Sequence, residues 1–266
     1  MSDTFSFSRL GKLINKQFFE NARLYAFSTL AIVGLLAISF AFWFEMAGPN
    51  YNEDGTYMMF FLGLFLGGGV FAAMSFNMLG NRDKGIYWLT LPATHLEKLV
   101  CTILFTTVAF TIIYCLSFFL VKSVTIMLLT EYIKSNPGSS YVKANNLGNE
   151  GSLVMRYFMC AFIAIQAFYI LGSVYFSRYA FVITSVVTAA LIFSFAYYVH
   201  LLEDILPDNS SWNLVSLREY NENREDGYRL YSISPAITSF LKYLLQFAWA
   251  PIFWFITWVR LREKEI

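Results

Sequence analysis

Six long apolar runs constrain this chain more than any motif does. They cover residues 24–44, 57–79, 99–121, 154–176, 180–201 and 238–259. A helix needs about 20 residues to cross a hydrocarbon core of roughly 30 Å. Backbone polar groups find no water inside a bilayer, so each spanning segment is either a helix or a strand of a closed barrel. The runs are continuously apolar and do not alternate, which predicts helices.

The composition excludes a soluble protein. Hydrophobic residues make up 57% of the chain and charged residues only 14%. A soluble core of 266 residues cannot hide that much apolar surface. We therefore predict an all-α integral membrane protein, with one domain over residues 1–266 and six transmembrane helices.

The distribution of Lys and Arg predicts the orientation in the membrane. The side that holds the N-terminus carries Arg9, Lys12, Lys16, Arg23, Arg82, Lys84, Lys98, Arg178, Arg260, Arg262 and Lys264. Under the positive-inside rule, both termini and segment 80–98 are cytoplasmic, as expected for a multi-pass protein of the plasma (inner) membrane. Loops 130–153 and 203–237 are then extracytoplasmic. The second loop is compatible with an ordered cap or with a site for an extracytoplasmic partner.

An amphipathic segment precedes the first apolar run. Over residues 6–21, apolar side chains recur at helical spacing and basic side chains lie opposite them. The apolar face comprises Leu10, Leu13, Ile14 and Phe18. Such a helix lies flat at the membrane interface. Two interpretations stay open: a simple anchor that sets topology, or an elbow helix that frames a docking site.

Four glycines mark the second apolar run as a packing element. Gly63, Gly67, Gly68 and Gly69 form a face of small residues, and the first two have GxxxG spacing. Small residues allow close helix approach, and van der Waals packing drives helix association in lipid. GxxxG alone is a weak signal, so the sequence favours packing within one bundle over a dimer seam.

A short charged segment interrupts the apolar sequence at 80–98. Gly80 is a helix stop signal and Asn81 can cap the next turn. A helix is predicted from about Arg82 to Leu89, and Pro92 prevents its continuation. The pattern predicts a helix with one face towards the membrane and a charged face that a soluble partner can contact.

Thr94 followed by Glu97 is a capping-box pattern, and it predicts that a new helix begins there. A plainer interpretation of the whole segment is an ordinary loop that is anchored by Tyr87 and Trp88. Aromatic residues are common at membrane interfaces, so they do not by themselves distinguish the two.

Segment 80–98 has a distinctive order of features. An apolar span is followed by a DKG turn, an aliphatic helix, Leu-Pro, and Thr-His-Leu-Glu-Lys before the next span. This order resembles that in the membrane subunits of type-two ABC exporters. In those subunits this segment is the coupling helix, here 82–91. The resemblance implies contacts with a cytoplasmic ABC ATPase subunit. The residues involved would be Asp83, Lys84, Gly85, Ile86, Tyr87, Trp88, Leu89, Leu91 and Pro92. It also implies a second permease chain, the same or related.

Nucleotide chemistry is expected on the partner. The sequence contains no GxxxxGK followed by Ser or Thr, so ATP and Mg²⁺ would bind the separate ATPase subunit and this chain would carry no cofactor. We expect no enzyme activity here, because no catalytic motif occurs. The alternative function is a non-transporting scaffold or sensory subunit that docks a cytoplasmic protein.

The remaining polar residues give little sign of chemistry. The formal net charge of +1 argues against nucleic acid as a partner. Cys101, Cys115 and Cys160 lie inside predicted spans without CxxC spacing and are expected to pack as small apolar residues. Four ionisable residues lie near span ends, where snorkelling is the simple explanation: Glu45, Lys122, Arg156 and Lys242. Gln166 is the most central strongly polar residue, and a hydrogen bond between helices is favoured for it over contact with a substrate.

Overall fold

The computed structural model describes residues 5–47, 50–80, 82–136, 138–143, 149–176, 179–205, 210–213, 216–220, 228–232 and 234–264. Its helices are α1 (Phe7–Met46), α2 (Asp54–Ala73), α3 (Arg82–Leu89), α4 (His95–Ile103), α5 (Phe110–Ser135), α6 (Asn149–Tyr175), α7 (Ala180–Ile205), α8 (Pro235–Phe247) and α9 (Trp249–Glu263). A 3₁₀ turn covers Asn77–Gly80 and a π-helical stretch covers Leu104–Ala109. The strands are β1 (Asn50–Asn52), β2 (Ser140–Val142), β3 (Ser210–Asn213), β4 (Ser216–Tyr220) and β5 (Tyr228–Ser232).

Five helical stretches in the described part of the chain are long and apolar enough to cross a membrane. They are Phe7–Met46, Asp54–Leu79, His95–Ser135, Leu153–Tyr175 and Ala180–Leu201. The sixth predicted span is a pair of helices, α8 and α9, which are bent by 46° at their junction. The chain is thus a mostly helical protein with the character of a multi-pass membrane protein.

The bend between α8 and α9 has a local cause in Pro251. Proline has no N–H, so Pro251 cannot donate to the carbonyl of Phe247 four residues earlier, and its ring crowds that carbonyl. Helical bonds flank the junction on both sides, since Ala248 N donates to Leu244 O at 2.9 Å and Ile252 N donates to Ala248 O at 3.1 Å. A break in the backbone hydrogen bonds beside a proline is the usual origin of a sharp helix kink.

The first helix differs from the expected elbow followed by a separate span. α1 runs without a break from Phe7 to Met46, so the amphipathic segment forms the first turns of the spanning helix. No Gly or Pro lies between Glu20 and Leu24 to end the helix there. Asn21 also stays within the helix, because its side-chain amide donates to the carbonyl of Gln17 at 3.1 Å.

The predicted capping box is confirmed at the start of α4. Glu97 N donates to Thr94 Oγ1 at 3.3 Å, and the Glu97 carboxylate accepts from Thr94 N at 2.9 Å. From His95 the helix continues through α4, the π-helical stretch and α5 as one spanning unit to Ser135. The capping box therefore sets where this unit begins.

Two aromatic-rich clusters form the core, one around the first half of α2 and one around its end. The first contains Leu36, Phe40, Phe60, Leu64, Phe110, Tyr114, Phe118, Val121 and Phe162. The second contains Ala72, Ala73, Phe76, Trp88, Leu99, Tyr169, Ile170, Val174 and Leu261. Because α2 contributes to both clusters, it lies in the centre of the bundle.

The glycines of α2 lie against large side chains of other helices in the same chain. A Cβ at Gly63 would meet the Tyr114 ring at 3.2 Å, and one at Gly67 would meet Phe110 at 3.3 Å. At Gly68 it would meet Phe162 at 2.7 Å and the amide of Gln166, and at Gly69 it would meet Tyr169 at 3.4 Å. The absence of side chains at these positions allows α2 to approach α5 and α6 closely.

Small strand pairs lie among the segments that follow α1, α5 and α7. β1 and β2 pair in parallel, with Tyr51 opposite Tyr141. β3, β4 and β5 form an antiparallel sheet in that order, within the loop 203–237. An ion pair at 2.6 Å between Lys122 of α5 and Glu53, next to β1, holds the first pair to the bundle. The snorkelling of Lys122 stays a prediction, and its partner Glu53 was not foreseen from the sequence.

Candidate partner-docking site

α3 is held to the bundle on one face and exposed on another. Trp88 is only 9% exposed, and its ring packs edge-on against Phe76 with 5.4 Å between ring centroids. The ammonium of Lys98 lies 4.8 Å from the centre of the Trp88 ring. Ile86 and Tyr87, by contrast, are both 55% exposed. An exposed apolar residue and an exposed aromatic residue are thus presented on an anchored helix.

α3 packs against the turn that follows α2 at Gly85. A Cβ at Gly85 would lie 3.7 Å from the Cα of Leu79 and 3.7 Å from the carbonyl oxygen of Met78. α3 therefore packs backbone to backbone on the 3₁₀ turn that ends the second span. A Cβ at this distance makes ordinary van der Waals contact, so an alanine at position 85 would fit against the turn.

α1 contacts α3 through a polar side-chain cluster. Lys16 Nζ donates to the hydroxyl of Tyr87 at 2.7 Å, and the same ammonium lies 4.6 Å from the centre of the Tyr87 ring. Glu20 completes the cluster, 3.7 Å from Lys16 Nζ and 3.4 Å from the Tyr87 hydroxyl. These contacts place the amphipathic part of α1 beside the exposed face of α3.

A second link joins the first turn of α1 to the first turn of α4. Glu97 is fully buried and accepts from Arg9 Nη2 at 2.9 Å and Nε at 3.2 Å. The backbone N–H of Ser6 also donates to this carboxylate at 2.7 Å, beside the capping bond from Thr94. Charge-assisted bonds from both helices to one carboxylate fix their relative position.

The C-terminal helix reaches the same end of the bundle. Leu261 of α9 is fully buried in the cluster that contains Trp88. Just after α9, Lys264 Nζ donates to the carbonyl of Val174 at 2.6 Å. Burial, together with the neighbouring charge of Arg260, lowers the pKa of Lys264. The ends of α1, α3, α4, α6 and α9 therefore meet around one surface.

The residues that the resemblance implies as ATPase contacts differ in their exposure. Gly85 and Trp88 face the bundle, Leu91 is half-buried, and Ile86, Tyr87 and Pro92 are exposed. The side chains of Asp83, Lys84 and Leu89 lie outside the described residues. Within the amphipathic segment, Leu10 is buried, Leu13 and Ile14 are half-buried, and Phe18 is exposed. The inward side chains of that segment face the bundle, next to α4.

Sequence reasoning missed the two ion pairs, Arg9–Glu97 and Lys122–Glu53. A signal for each was present: Glu97 belonged to a recognisable capping box, and Lys122 was a lone cation in a long apolar stretch. Neither signal names the partner, because each pair joins segments that are far apart in the chain.

Gln166 differs from expectation. Its side chain is fully buried, yet neither atom of its amide has a hydrogen-bond partner among the described residues. The predicted hydrogen bond between helices was wrong. The amide instead packs against Gly68 and the aromatic rings around it.

No protein-family model, curated protein or solved structure matches this chain. Among the described residues, no group of three or more His, Cys, Asp and Glu side chains is arranged to hold a metal ion. Functional inference therefore depends on the geometry around α3 and on the resemblance of segment 80–98.

Proposed function

We propose that this chain is the membrane-spanning permease subunit of an ATP-driven ABC transporter, an exporter, with a separate ATP-binding subunit docked on α3. The observation that supports this proposal most is the seat of α3, which is anchored through Trp88 while Ile86 and Tyr87 are exposed. An anchored helix with an apolar exposed face suits a soluble partner that must transmit force.

The contacts of α3 offer a route for coupling. Tyr87 is bonded to Lys16 of α1, Trp88 lies against Lys98 of α4, and Gly85 rests on the turn after α2. A displacement of α3 would therefore act on three spanning helices at once. In the proposed mechanism, ATP-driven closure of the partner favours one of two helix arrangements, because the partner binds α3 differently in each.

The rest of the assembly is part of the same proposal. ATP and Mg²⁺ would bind the partner ATPase, and a second permease chain, the same or related, would complete the membrane pathway. The end that carries α3 and both termini would face the cytoplasm, in keeping with its Lys and Arg residues. The β3–β5 sheet would then lie outside the cell, where an extracytoplasmic partner could bind.

Affinity purification in mild detergent, followed by mass spectrometry, tests the proposal directly. We expect a near-stoichiometric ATPase with a phosphate-binding loop to remain bound. Ile86→Glu should reduce its recovery at least about tenfold, since it places a charge in an apolar contact. Val142→Glu is the matched control, because Val142 is equally exposed, at 55%, but lies in β2 at the other end of the bundle.

Two results would overturn the proposal. One is the absence of any ATPase from the intact purified protein, and the other is equal loss of the ATPase with both variants. If the wild-type chain instead retains a different cytoplasmic protein that Ile86→Glu releases, the chain is a docking scaffold or sensory subunit.

A further inference from the structure

A pocket of about 580 Å³ lies between α1 and α5, near the end of the bundle that holds β1 and β2. Its floor is formed by the buried side chains of Phe40 and Val121, and its rim by the exposed Leu120, Val124 and Leu128. The pocket is therefore a groove that opens sideways from the bundle. Its volume lies in the range of small-molecule sites, which are also mostly apolar.

One charged residue lines the described part of this pocket. Glu45 lies at the end of α1, and neither Lys nor Arg joins it in the lining. Its carboxylate has no ion pair or hydrogen bond among the residues that the structure describes. The last turn of a helix also carries partial negative charge on its carbonyl groups, so α1 adds to the negative potential at this point.

Aromatic rings surround the same end of the pocket. Phe44 and Tyr132 line it and pack edge-on, with 5.2 Å between their ring centroids. Tyr51 stacks on Phe44 at 5.2 Å and is buried behind them. Burial and the nearby Tyr132 and Glu45 raise the pKa of Tyr51, as expected where a carboxylate lies close to a phenol.

We infer that this pocket binds a lipophilic organic cation, with its charge at Glu45 and the adjacent aromatic rings and its apolar body on Phe40 and Val121. A carboxylate, a helix C-terminus and aromatic faces all attract cations. The rest of the lining is mostly apolar and would contact the apolar body of the ligand. This inference is independent of the proposed function, because it concerns a ligand site at the other end of the bundle from α3.

A larger cavity of about 610 Å³ between α1 and α2 provides a contrast. The residues that line it carry no charge, and the lining side chains with polar groups are Ser39 and Tyr114. It has aromatic rings but no carboxylate, so it lacks the fixed negative charge of the α1–α5 pocket. Of the two cavities, we therefore expect only the α1–α5 pocket to select a positively charged ligand.

Equilibrium binding of labelled tetraphenylphosphonium to the full chain in nanodiscs tests the inference, with binding to empty nanodiscs subtracted. Tetraphenylborate has the same shape and the opposite charge, so it serves as the ligand control. We expect saturable binding of the cation only. Glu45→Gln should weaken it about tenfold, because it removes the charge but keeps the side-chain size.

Two further variants sharpen the result. Glu131→Gln removes an exposed carboxylate of α5 that does not line the pocket, and it should leave binding unchanged. Ala41→Phe fills the pocket and should reduce binding whatever the charge at position 45. The inference fails if binding is not saturable, if Glu45→Gln binds as tightly as the wild type, or if Glu131→Gln causes an equal loss.

Discussion

Arg9 and Glu97 are 88 positions apart in the sequence, and Arg9 Nη2 lies 2.9 Å from Glu97 Oε1. The pair joins the first turn of α1 to the first turn of α4 at the surface where we place the partner. Glu97 also caps its own helix, so one carboxylate both starts α4 and positions α1.

Replacement of Glu97 by Ala should therefore strongly destabilise the protein. It removes the capping bond from Thr94 N and the buried carboxylate that accepts from Arg9 and from the Ser6 N–H, at a cost of about 3 kcal/mol. Thermal unfolding of the detergent-purified protein measures the effect. Glu263→Ala breaks the exposed pair with Arg260 and should change stability by less than about 1 kcal/mol. Equal losses would contradict the structural role of Glu97.

Gly68→Ala should lower stability by about 1–3 kcal/mol, because the new Cβ would meet Phe162 at 2.7 Å and the amide of Gln166. Gly34→Ala is the control, since nothing lies within 4 Å of a Cβ there. That control should be neutral or slightly stabilising, as Ala favours a helix over Gly. The melting temperatures of the two variants are compared with that of the wild type. An unchanged melting temperature in Gly68→Ala would refute the close approach of α2 and α6.

Pro251→Ala should straighten the joint between α8 and α9, because it restores a donor to the carbonyl of Phe247. Spin labels at Tyr243 and Val259, in a background free of other cysteines, should move apart in pulsed-EPR distance measurements. Pro235→Ala should leave the distance unchanged, since Pro235 occupies the first helical position of α8, where its N–H is not needed. An unchanged distance in Pro251→Ala would assign the 46° bend to packing instead.

Gln166→Leu should raise stability by about 1–2 kcal/mol. The buried amide has no hydrogen-bond partner among the described residues, so an apolar side chain of similar size removes a desolvation cost and loses no bond. In the matched variant Gln246→Leu, the amide that donates to Cys160 Sγ at 3.4 Å is lost, and no gain is expected. Destabilisation by Gln166→Leu would show that its amide has a partner in the membrane.

Several local features were predictable because their causes are local. Thr94 and Glu97 are three residues apart, so the capping box could be recognised in the sequence and was found in the structure. The helix Arg82–Leu89 occupies the range in which the sequence predicted one, between Gly80 and Pro92. Pro251 could also have indicated the break in the sixth span. The residues around it are apolar, so the segment was predicted as one continuous span.

Other features depend on contacts between distant segments. The amphipathic pattern of residues 6–21 could not show whether a separate elbow or a continuous α1 forms, because both bury the same face. The ion-pair partners of Glu97 and Lys122 could not be predicted from the sequence either, because an ion pair depends on where two segments meet in the fold. The isolation of Gln166 depends on which rings surround Gly68.

The sequence by itself determined that this protein is helical and belongs in a membrane, because long continuous apolar segments have no other stable form in lipid. It also determined where α4 begins, through side chains that bond within one turn. Only the tertiary structure decided which face of α3 is exposed, which carboxylates are paired, and where Glu45 meets an apolar pocket. Those properties arise from the packing of side chains on different helices, and no local pattern encodes that packing.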